Sequence, residues 1–260
     1  MILTSHKRIA NNKSIDINCD LGEGVNEIDC KADALLMPYI SSCSIACGGH
    51  AGNELTMNLT VQNAKAHNLK IGAHPGYPDK ENFGRLSLSL DIEELKQSLK
   101  QQLAQFEIAL TRNTAKLDHI KFHGALYNDI ESDYTLAIKL AKFCKKLYPN
   151  QKLLGLANGN LSIACKEIGY AFISEAFMDR AYCANGKLVP RKEERAVHND
   201  KSTIVKQALT IAIEQSVYTI KGDRIELAAD SICLHGDNPK ALAIAILVYD
   251  AMLNIGIKIQ

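Results

Sequence analysis

The sequence DINCDLGEG at residues 16–24 places Asp16, Asn18 and Asp20 at alternate positions and Glu23 between two glycines. Side chains alternate between the two faces of a β-strand, so these three oxygen-bearing side chains share one face. Apolar packing does not explain such a face, and the stretch therefore predicts a strand that carries functional groups. The alternative is that Asp16 begins the strand at the surface and Asp20 caps the next turn.

Five further short apolar runs also end in a residue that can act in catalysis or bind a ligand. These residues are His50, His74, His123, Glu175 and His235. Helix-length segments separate the runs, so parallel pairing of the strands would collect all the polar ends at one rim. A (β/α) barrel keeps its active site at that rim. The pattern therefore indicates an enzyme.

Hydrophobic periodicity predicts seven β-strands that alternate with helices. The strands are expected at 14–19, 42–46, 69–73, 117–122, 152–156, 170–174 and 231–234. Helices are expected at 32–37, 53–68, 91–111, 132–147, 161–168, 201–215 and 239–254, with a hairpin over 217–227. Repeated βα units imply a parallel sheet with right-handed crossovers. They suit a distorted α/β barrel at least as well as an open sheet.

The chain has 260 residues and a formal net charge of +1. This length suits a single barrel domain over residues 14–260, preceded by a flexible extension at residues 1–13. The balanced charge indicates neither nucleic acid nor a membrane as a partner, and no apolar stretch reaches the roughly 18 residues of a membrane helix. We therefore expect a cytoplasmic protein that acts with a small molecule or another protein. Homo-oligomer formation stays open.

Histidines at several strand ends, together with an inward carboxylate, fit two kinds of chemistry. They can hold a divalent metal that activates water, with Asp20, His74 and His123 as a plausible ligand set. They can also transfer protons and polarise a carbonyl without a metal. Spacing does not decide between the two, because only the fold brings these residues together. The catalytic candidates are Asp20, Glu23, His50, His74, His123 and Glu175.

Further polar side chains of the same motifs are candidates for binding the substrate. Arg85 offers a planar donor fork that suits a carboxylate or a phosphate. The full set is Asn18, Arg85, Lys121, Tyr127, Asp179, Arg180, His235 and Asp237. Two alternatives remain: Asp179 and Arg180 could form an ordinary surface ion pair, and Asp237 could cap the last helix.

Eight motifs together carry a resemblance to a known family. They are NCDLGE at 18–23, IACGGHAG at 45–52, IGAHP at 71–75, NFGR at 82–85, KFHGALYN at 121–128, DRAY at 179–182, LVPR at 188–191 and CLHGD at 233–237. In this order the motifs resemble the LamB/YcsF family of 5-oxoprolinase A subunits (PxpA). The resemblance extends from about residue 15 to the end of the chain.

The resemblance implies a TIM-like, seven-stranded (β/α) barrel of the glycoside hydrolase/deacetylase type. It implies ATP-driven opening of 5-oxoproline to L-glutamate together with two partner subunits, PxpB and PxpC. Barrels of that type use an aspartate and histidines at strand ends to bind a metal, which by analogy supports the set Asp20, His74 and His123. The chain has no GxxxxGK[ST] loop, so ATP is expected to be handled mainly by the partners.

Two other functions compete with this one. The first is a stand-alone metal-dependent hydrolase, such as a carbohydrate deacetylase, on the same barrel. The second is a barrel that binds a ligand without catalysis. The number of titratable residues expected at one rim argues against the second.

Overall fold

The computed structural model describes residues 13–260. Its strands, β1 to β10 in chain order, are Ser14–Leu21, Ser42–Ala46, Lys70–His74, Leu117–Lys121, Lys152–Leu156, Phe172–Phe177, Ser216–Tyr218, Arg224–Glu226, Ser231–Leu234 and Lys258–Ile259. Its helices, α1 to α8, are Glu27–Ala34, Glu54–Ala66, Ile92–Arg112, Gly124–Ser132, Tyr134–Leu147, Asn160–Ile168, Lys201–Glu214 and Ala241–Asn254. The flexible extension expected at residues 1–13 lies, apart from Lys13, outside the described residues.

Seven parallel strands close into a barrel, as the sequence predicted. The strand order is β1-β2-β3-β4-β5-β6-β9, and β9 closes the barrel by pairing with both β6 and β1. Ser231 of β9 is the register partner of Asp16 in β1 and of Glu175 in β6. The predicted hairpin is present as β7 and β8. The short strand β10, which was not expected, pairs with the beginning of β1.

The helix predicted at 32–37 was wrong in position. The helix α1 begins earlier because Asn26 accepts hydrogen bonds from the main-chain N–H groups of Ile28 and Asp29 and forms a capping box. The apolar residues that suggested the later position lie largely in the turn after α1 and in a short 3-10 helix at Met37–Tyr39.

Two other boundaries differ from the prediction in ways that affect the site. The helix predicted at 132–147 is present as α5 and begins two residues later, because Asp133 caps it; the preceding helix α4, which ends at Ser132, was not predicted. The strand predicted at 170–174 begins two residues later, because Tyr170 still hydrogen-bonds back to Cys165 after Gly169, a residue with φ of 61°. Glu175 therefore lies inside β6 and not after its end.

Hydrogen-bonded polar side chains occupy part of the barrel interior. Asp16 accepts hydrogen bonds from the hydroxyls of Ser42 and Ser231, at 2.7 and 2.5 Å. The Asn18 amide donates to Ser231 Oγ at 2.7 Å. Its oxygen therefore faces the opposite way and accepts from Lys121 Nζ at 3.2 Å. The hydrogen bonds that join Asp16, Ser231 and Asn18 thus help to position the ammonium of Lys121.

The apolar core lies between the barrel and the surrounding helices. In α3 the predicted stripe is buried and consists of Leu95, Leu99, Leu103, Phe106 and Leu110. Asp91 caps this helix, as the sequence indicated. Within residues 13–260, no helix combines the length and the apolar character that crossing a membrane requires.

Replacing Leu99 with alanine should lower the free energy of unfolding by about 3 kcal/mol, because a fully buried side chain leaves a cavity. Urea denaturation followed by circular dichroism measures the change. Ile108→Ala is the matched control in the same helix, because Ile108 is 53% exposed. We expect that control to cost less than about 1 kcal/mol. Equal losses in the two variants would contradict the packing of α3.

Candidate active site

A buried lysine lies at the base of the cavity at the carboxyl ends of the strands. Lys121 is 2% exposed, and its Nζ lies 2.7 Å from Glu175 Oε1 and 2.9 Å from Asp20 Oδ1. Burial alone would lower the pKa of Lys121, but the charges of Asp20 and Glu175 outweigh it and raise that pKa well above its usual value. Tyr127 donates its hydroxyl to Glu175 Oε2 at 3.0 Å. Lys121 therefore lies between two carboxyl groups, one of which also accepts a hydrogen bond from Tyr127.

Asp20 connects this lysine to a histidine. Its Oδ2 lies 3.5 Å from His74 Nε2. Burial acts to raise the pKa of Asp20, but the positive charges of His74 and Lys121 lower it to about 2. Asp20 is therefore an ionised counter-charge at neutral pH.

Two histidines meet edge to face beside Asp20. His74 Nε2 lies 3.1 Å from His123 Nδ1. On its other side, His74 Nδ1 lies 2.9 Å from the main-chain oxygen of Lys121. His123 Nε2 likewise lies 2.9 Å from the main-chain oxygen of Phe83. Both rings are thus fixed from behind by a carbonyl group.

These carbonyl contacts determine where the ring protons lie. A carbonyl oxygen only accepts hydrogen bonds, so the His74 Nδ1 and His123 Nε2 atoms that contact one must carry a proton. In two neutral rings the facing atoms, His74 Nε2 and His123 Nδ1, are then both lone pairs. Two lone pairs 3.1 Å apart repel each other. The arrangement therefore suits a shared cation, either a proton or a metal ion.

Glu23 and His50 complete this cluster. Glu23 Oε1 lies 3.3 Å from His123 Nδ1 and 3.2 Å from His50 Nε2. The ring of His50 stacks on that of His123 with centroids 3.5 Å apart. Burial acts to raise the pKa of Glu23, but the hydrogen bonds from the two histidines hold it well below its usual value. Ligand atoms of Glu23, His50, His74 and His123 all lie within 4.8 Å of one another.

The loop after β3 holds the histidines by close backbone contact. Gly84 has a φ of 60°, and a Cβ added there would lie 2.7 Å from His50 Cβ. Its carbonyl accepts a hydrogen bond from the main-chain N–H of Ala125 at 2.9 Å. The preceding Phe83 has a φ of 55°, uncommon for a residue with a side chain, and this turn carries its carbonyl to His123. The glycine of the NFGR motif is therefore required for steric reasons.

The opposite wall comes from β9 and from the loop at residues 178–200. Asp179 accepts a hydrogen bond from His235 Nδ1 at 2.8 Å. The other ring nitrogen, Nε2, then accepts from Arg191 at 2.7 Å. The Arg180 guanidinium points elsewhere, because it donates to the main-chain oxygens of Val189 and Ala196. Arg180 is therefore a buried anchor of the 178–200 loop.

The sequence-predicted residues surround one cavity of about 770 Å³. At its rim Arg85 pairs with Asp237 at 2.5 Å. The surface-pair and helix-cap alternatives for Asp179, Arg180 and Asp237 do not describe these contacts. The cavity is lined by Asp20, Glu23, His74, Arg85, Lys121, His123, Tyr127, Arg180, His235 and Asp237. The other candidates stand behind these residues as hydrogen-bond partners: Asn18, His50, Glu175 and Asp179.

Among the cavity-lining residues that sequence reasoning did not select are Glu131 and Arg191. Glu131 lies at the end of α4, which was not predicted, and it accepts a hydrogen bond from the Asn160 N–H at the beginning of α6. Burial raises the pKa of Glu131 to about 7, although this N–H group acts against the rise. No local pattern distinguishes Glu131 from an exposed helix residue. Arg191 was within a quoted motif, which was the available signal.

The fold and the cavity define a (β/α)-barrel protein with a cluster of histidines, carboxyl groups and a lysine at the carboxyl ends of its strands. The chain belongs to the LamB/YcsF family, whose model matches residues 15–260. It is 39% identical over 246 residues to a Staphylococcus aureus protein named as the A subunit of 5-oxoprolinase, and the match covers 95% of this chain and 98% of that protein.

Solved structures also resemble the chain. A crystal structure of a lactam utilization protein from Thermus thermophilus superposes with a TM-score of 0.89 at 31% identity, covering 95% of this chain and 99% of that one. An uncharacterized protein from Agrobacterium tumefaciens superposes with a TM-score of 0.55 at 14% identity, over 97% and 89% of the two chains. The second similarity concerns the fold alone.

The raised pKa of Glu131 predicts a pH-dependent stability. Between about pH 4.5 and pH 7 the folded chain keeps a proton on Glu131 that the unfolded chain has lost. The stability that this proton contributes, on the order of 3 kcal/mol, is therefore fully present below about pH 4.5. It decreases as the pH rises from there and is lost once the pH has passed about 7. Urea denaturation at about pH 5 and about pH 8 tests this, with Glu131→Gln as the variant that cannot titrate. The same pH dependence in both proteins would contradict the prediction.

Proposed function

We propose that this chain is the A subunit of a 5-oxoprolinase and opens the ring of 5-oxoproline to give L-glutamate, coupled to ATP hydrolysis. The names of relatives at 39% identity over nearly the whole chain support this reaction. The geometry supports it through one observation: the Lys121 ammonium, between the carboxyl groups of Asp20 and Glu175, lies next to the His74–His123 pair. Charge stabilisation and proton transfer are the two functions that opening an amide ring requires.

ATP is the co-substrate of the complex in this proposal. A five-membered lactam is a stabilised amide, and phosphorylation of its oxygen would make the ring carbon a better electrophile. The chain has no nucleotide-binding glycine loop of the known types, so the partner subunits PxpB and PxpC would supply the activated lactam. The relatives are named as one subunit of their enzyme, which agrees with partners of this kind.

The residues of this chain would then act on the activated ring. Glu23, in contact with the two histidines His50 and His123, forms a proton-transfer group. It takes a proton from the water that attacks the ring carbon bearing the phosphorylated oxygen, and a proton returns to the ring nitrogen as the carbon–nitrogen bond breaks. The product of this step is γ-glutamyl phosphate, and attack of a second water then releases inorganic phosphate and L-glutamate. The ammonium of Lys121 favours the negative charge that develops on the tetrahedral intermediate. Asp20 and Glu175 keep that ammonium charged and in place.

A divalent metal also fits the cluster. His74 and His123 each hold a main-chain carbonyl with the second ring nitrogen, as metal-binding histidines generally do. Among the described residues His50 Nδ1 has no such partner. Glu23, His74 and His123 would therefore hold the ion, whereas both oxygens of Asp20 already accept from Lys121. A bound metal would supply a more acidic water and a Lewis acid for the carbonyl.

Calorimetric titration of the purified chain with Zn²⁺ should show about one equivalent bound. His123→Gln should abolish this binding, because it removes one of the two facing nitrogens. His67→Gln is the control, because His67 is exposed and its ring hydrogen-bonds to Asn63 of its own helix. If the wild-type chain binds no ion, or His123→Gln binds as well as wild type, the shared cation is a proton.

Asp20→Asn should abolish glutamate formation by the complete complex while leaving the fold intact. The substitution keeps the shape of the side chain but removes a counter-charge of Lys121. Asp250→Asn, on the exposed face of α8, is the matched control and should retain activity. Circular dichroism checks the fold of both. Activity like that of wild type in Asp20→Asn would remove Asp20 from the mechanism.

Glutamate formation from 5-oxoproline and ATP tests the proposed function directly. The purified chain would be assayed alone and mixed with PxpB and PxpC, and we expect turnover only in the mixture.

The facing lone pairs also favour a second candidate, a stand-alone metal-dependent hydrolase. Metal-dependent hydrolysis of an acetylated sugar without ATP, and no glutamate in any mixture, would favour that candidate. Substrate binding without turnover in the complete complex would favour a non-catalytic barrel.

A further inference from the structure

Most cationic side chains that line the cavity already have partners. Lys121 lies between two carboxylates, and Arg85 pairs with Asp237. Arg180 donates to main-chain oxygens, and Lys187 Nζ donates to the main-chain oxygen of Glu131. Their charges or their hydrogen-bonding groups are therefore engaged within the protein.

Arg191 differs from these residues because its hydrogen-bond partner is an imidazole nitrogen and not a carboxylate or a main-chain oxygen. His235 Nδ1 donates a hydrogen bond to Asp179, so its Nε2 accepts one from the Arg191 guanidinium. A guanidinium has five N–H donors, and this contact uses one of its two NH₂ groups. Arg191 is therefore held in a defined position on the cavity wall with donors and a full positive charge still available.

The surrounding charges reinforce this positive field. Arg180 and Arg191 both line the cavity on this wall, and Asp179 is their nearby carboxylate. Burial lowers the pKa of Arg180 to about 10, and the positive charge of Arg191 acts in the same direction. An anion bound at Arg191 would relieve this repulsion as well as gain charge-assisted hydrogen bonds.

We propose that Arg191 is the anion-binding residue of the site and holds the negatively charged oxygen group of the substrate. The identity of that group rests on the proposed function: it is either the carboxylate of 5-oxoproline or the phosphoryl group of the activated lactam. Both present oxygen atoms that match the donors of a guanidinium. His235 and Asp179 are positioning residues, because they act through Arg191.

Calorimetric titration of the isolated chain with 5-oxoproline and, separately, with inorganic phosphate tests this assignment. We expect wild type to bind at least one of the two. We expect Arg191→Gln to bind that anion more weakly, by about tenfold or a larger factor. Lys192→Gln, the adjacent exposed cation of the same cavity wall, is the matched control and should change affinity less than about twofold. Binding of 5-oxoproline would assign the carboxylate, and binding of phosphate alone would assign the phosphoryl group.

Three results would overturn the proposal: no binding of either anion by wild type, unchanged binding by Arg191→Gln, or an equal loss in Lys192→Gln. Glutamate formation by the wild-type complex tests the proposed function separately. Anion binding that depends on Arg191, in a complete complex without turnover, would keep the anion site and reject the reaction. Turnover by the wild-type complex, with the same KM and kcat in the Arg191→Gln variant, would keep the proposed reaction and reject the anion site.

Discussion

The ammonium of Lys121, enclosed by Asp20 and Glu175 inside the barrel, is the interaction on which the site depends. Removing one member of a buried ionic group leaves an uncompensated charge, which is far more costly than losing a surface pair. The main-chain oxygen of the same lysine also fixes the ring of His74. A shift of Lys121 would therefore disturb both the charge balance and the proton positions of the histidine pair.

Closure of the barrel makes this arrangement possible. The strand β9 brings Ser231 between Asp16 and Asn18, and these hydrogen bonds turn the Asn18 oxygen toward Lys121. Burying polar groups costs free energy unless they are hydrogen-bonded, so an interior of this kind stabilises one arrangement of side chains only when all partners are present. The barrel interior thus has polar contacts in place of apolar packing, and these contacts orient Asn18 toward Lys121.

The sequence predicted the features that depend on local pattern. Seven strands, their order along the chain and the polar ends at Asp20, His74 and His123 follow from periodicity and from the family motifs. The position of Glu175 inside β6 does not follow from the pattern, because the turn after α6 makes β6 begin two residues later than predicted. The tautomers of the histidines also depend on main-chain oxygens such as that of Phe83, which no side-chain pattern reveals.

Two arginines of the 178–200 loop show why residue type alone does not assign a role. Arg180 is buried and donates to carbonyl groups of its own loop, so its guanidinium stabilises that loop. Arg191 is exposed, lines the cavity and hydrogen-bonds to an imidazole nitrogen of His235. The buried arginine therefore fixes the wall on which the second one stands. The Arg191 cation on one wall and the histidine–carboxylate cluster on the other, in the roles proposed above, match a small molecule that carries an anion and a reactive amide, as 5-oxoproline does.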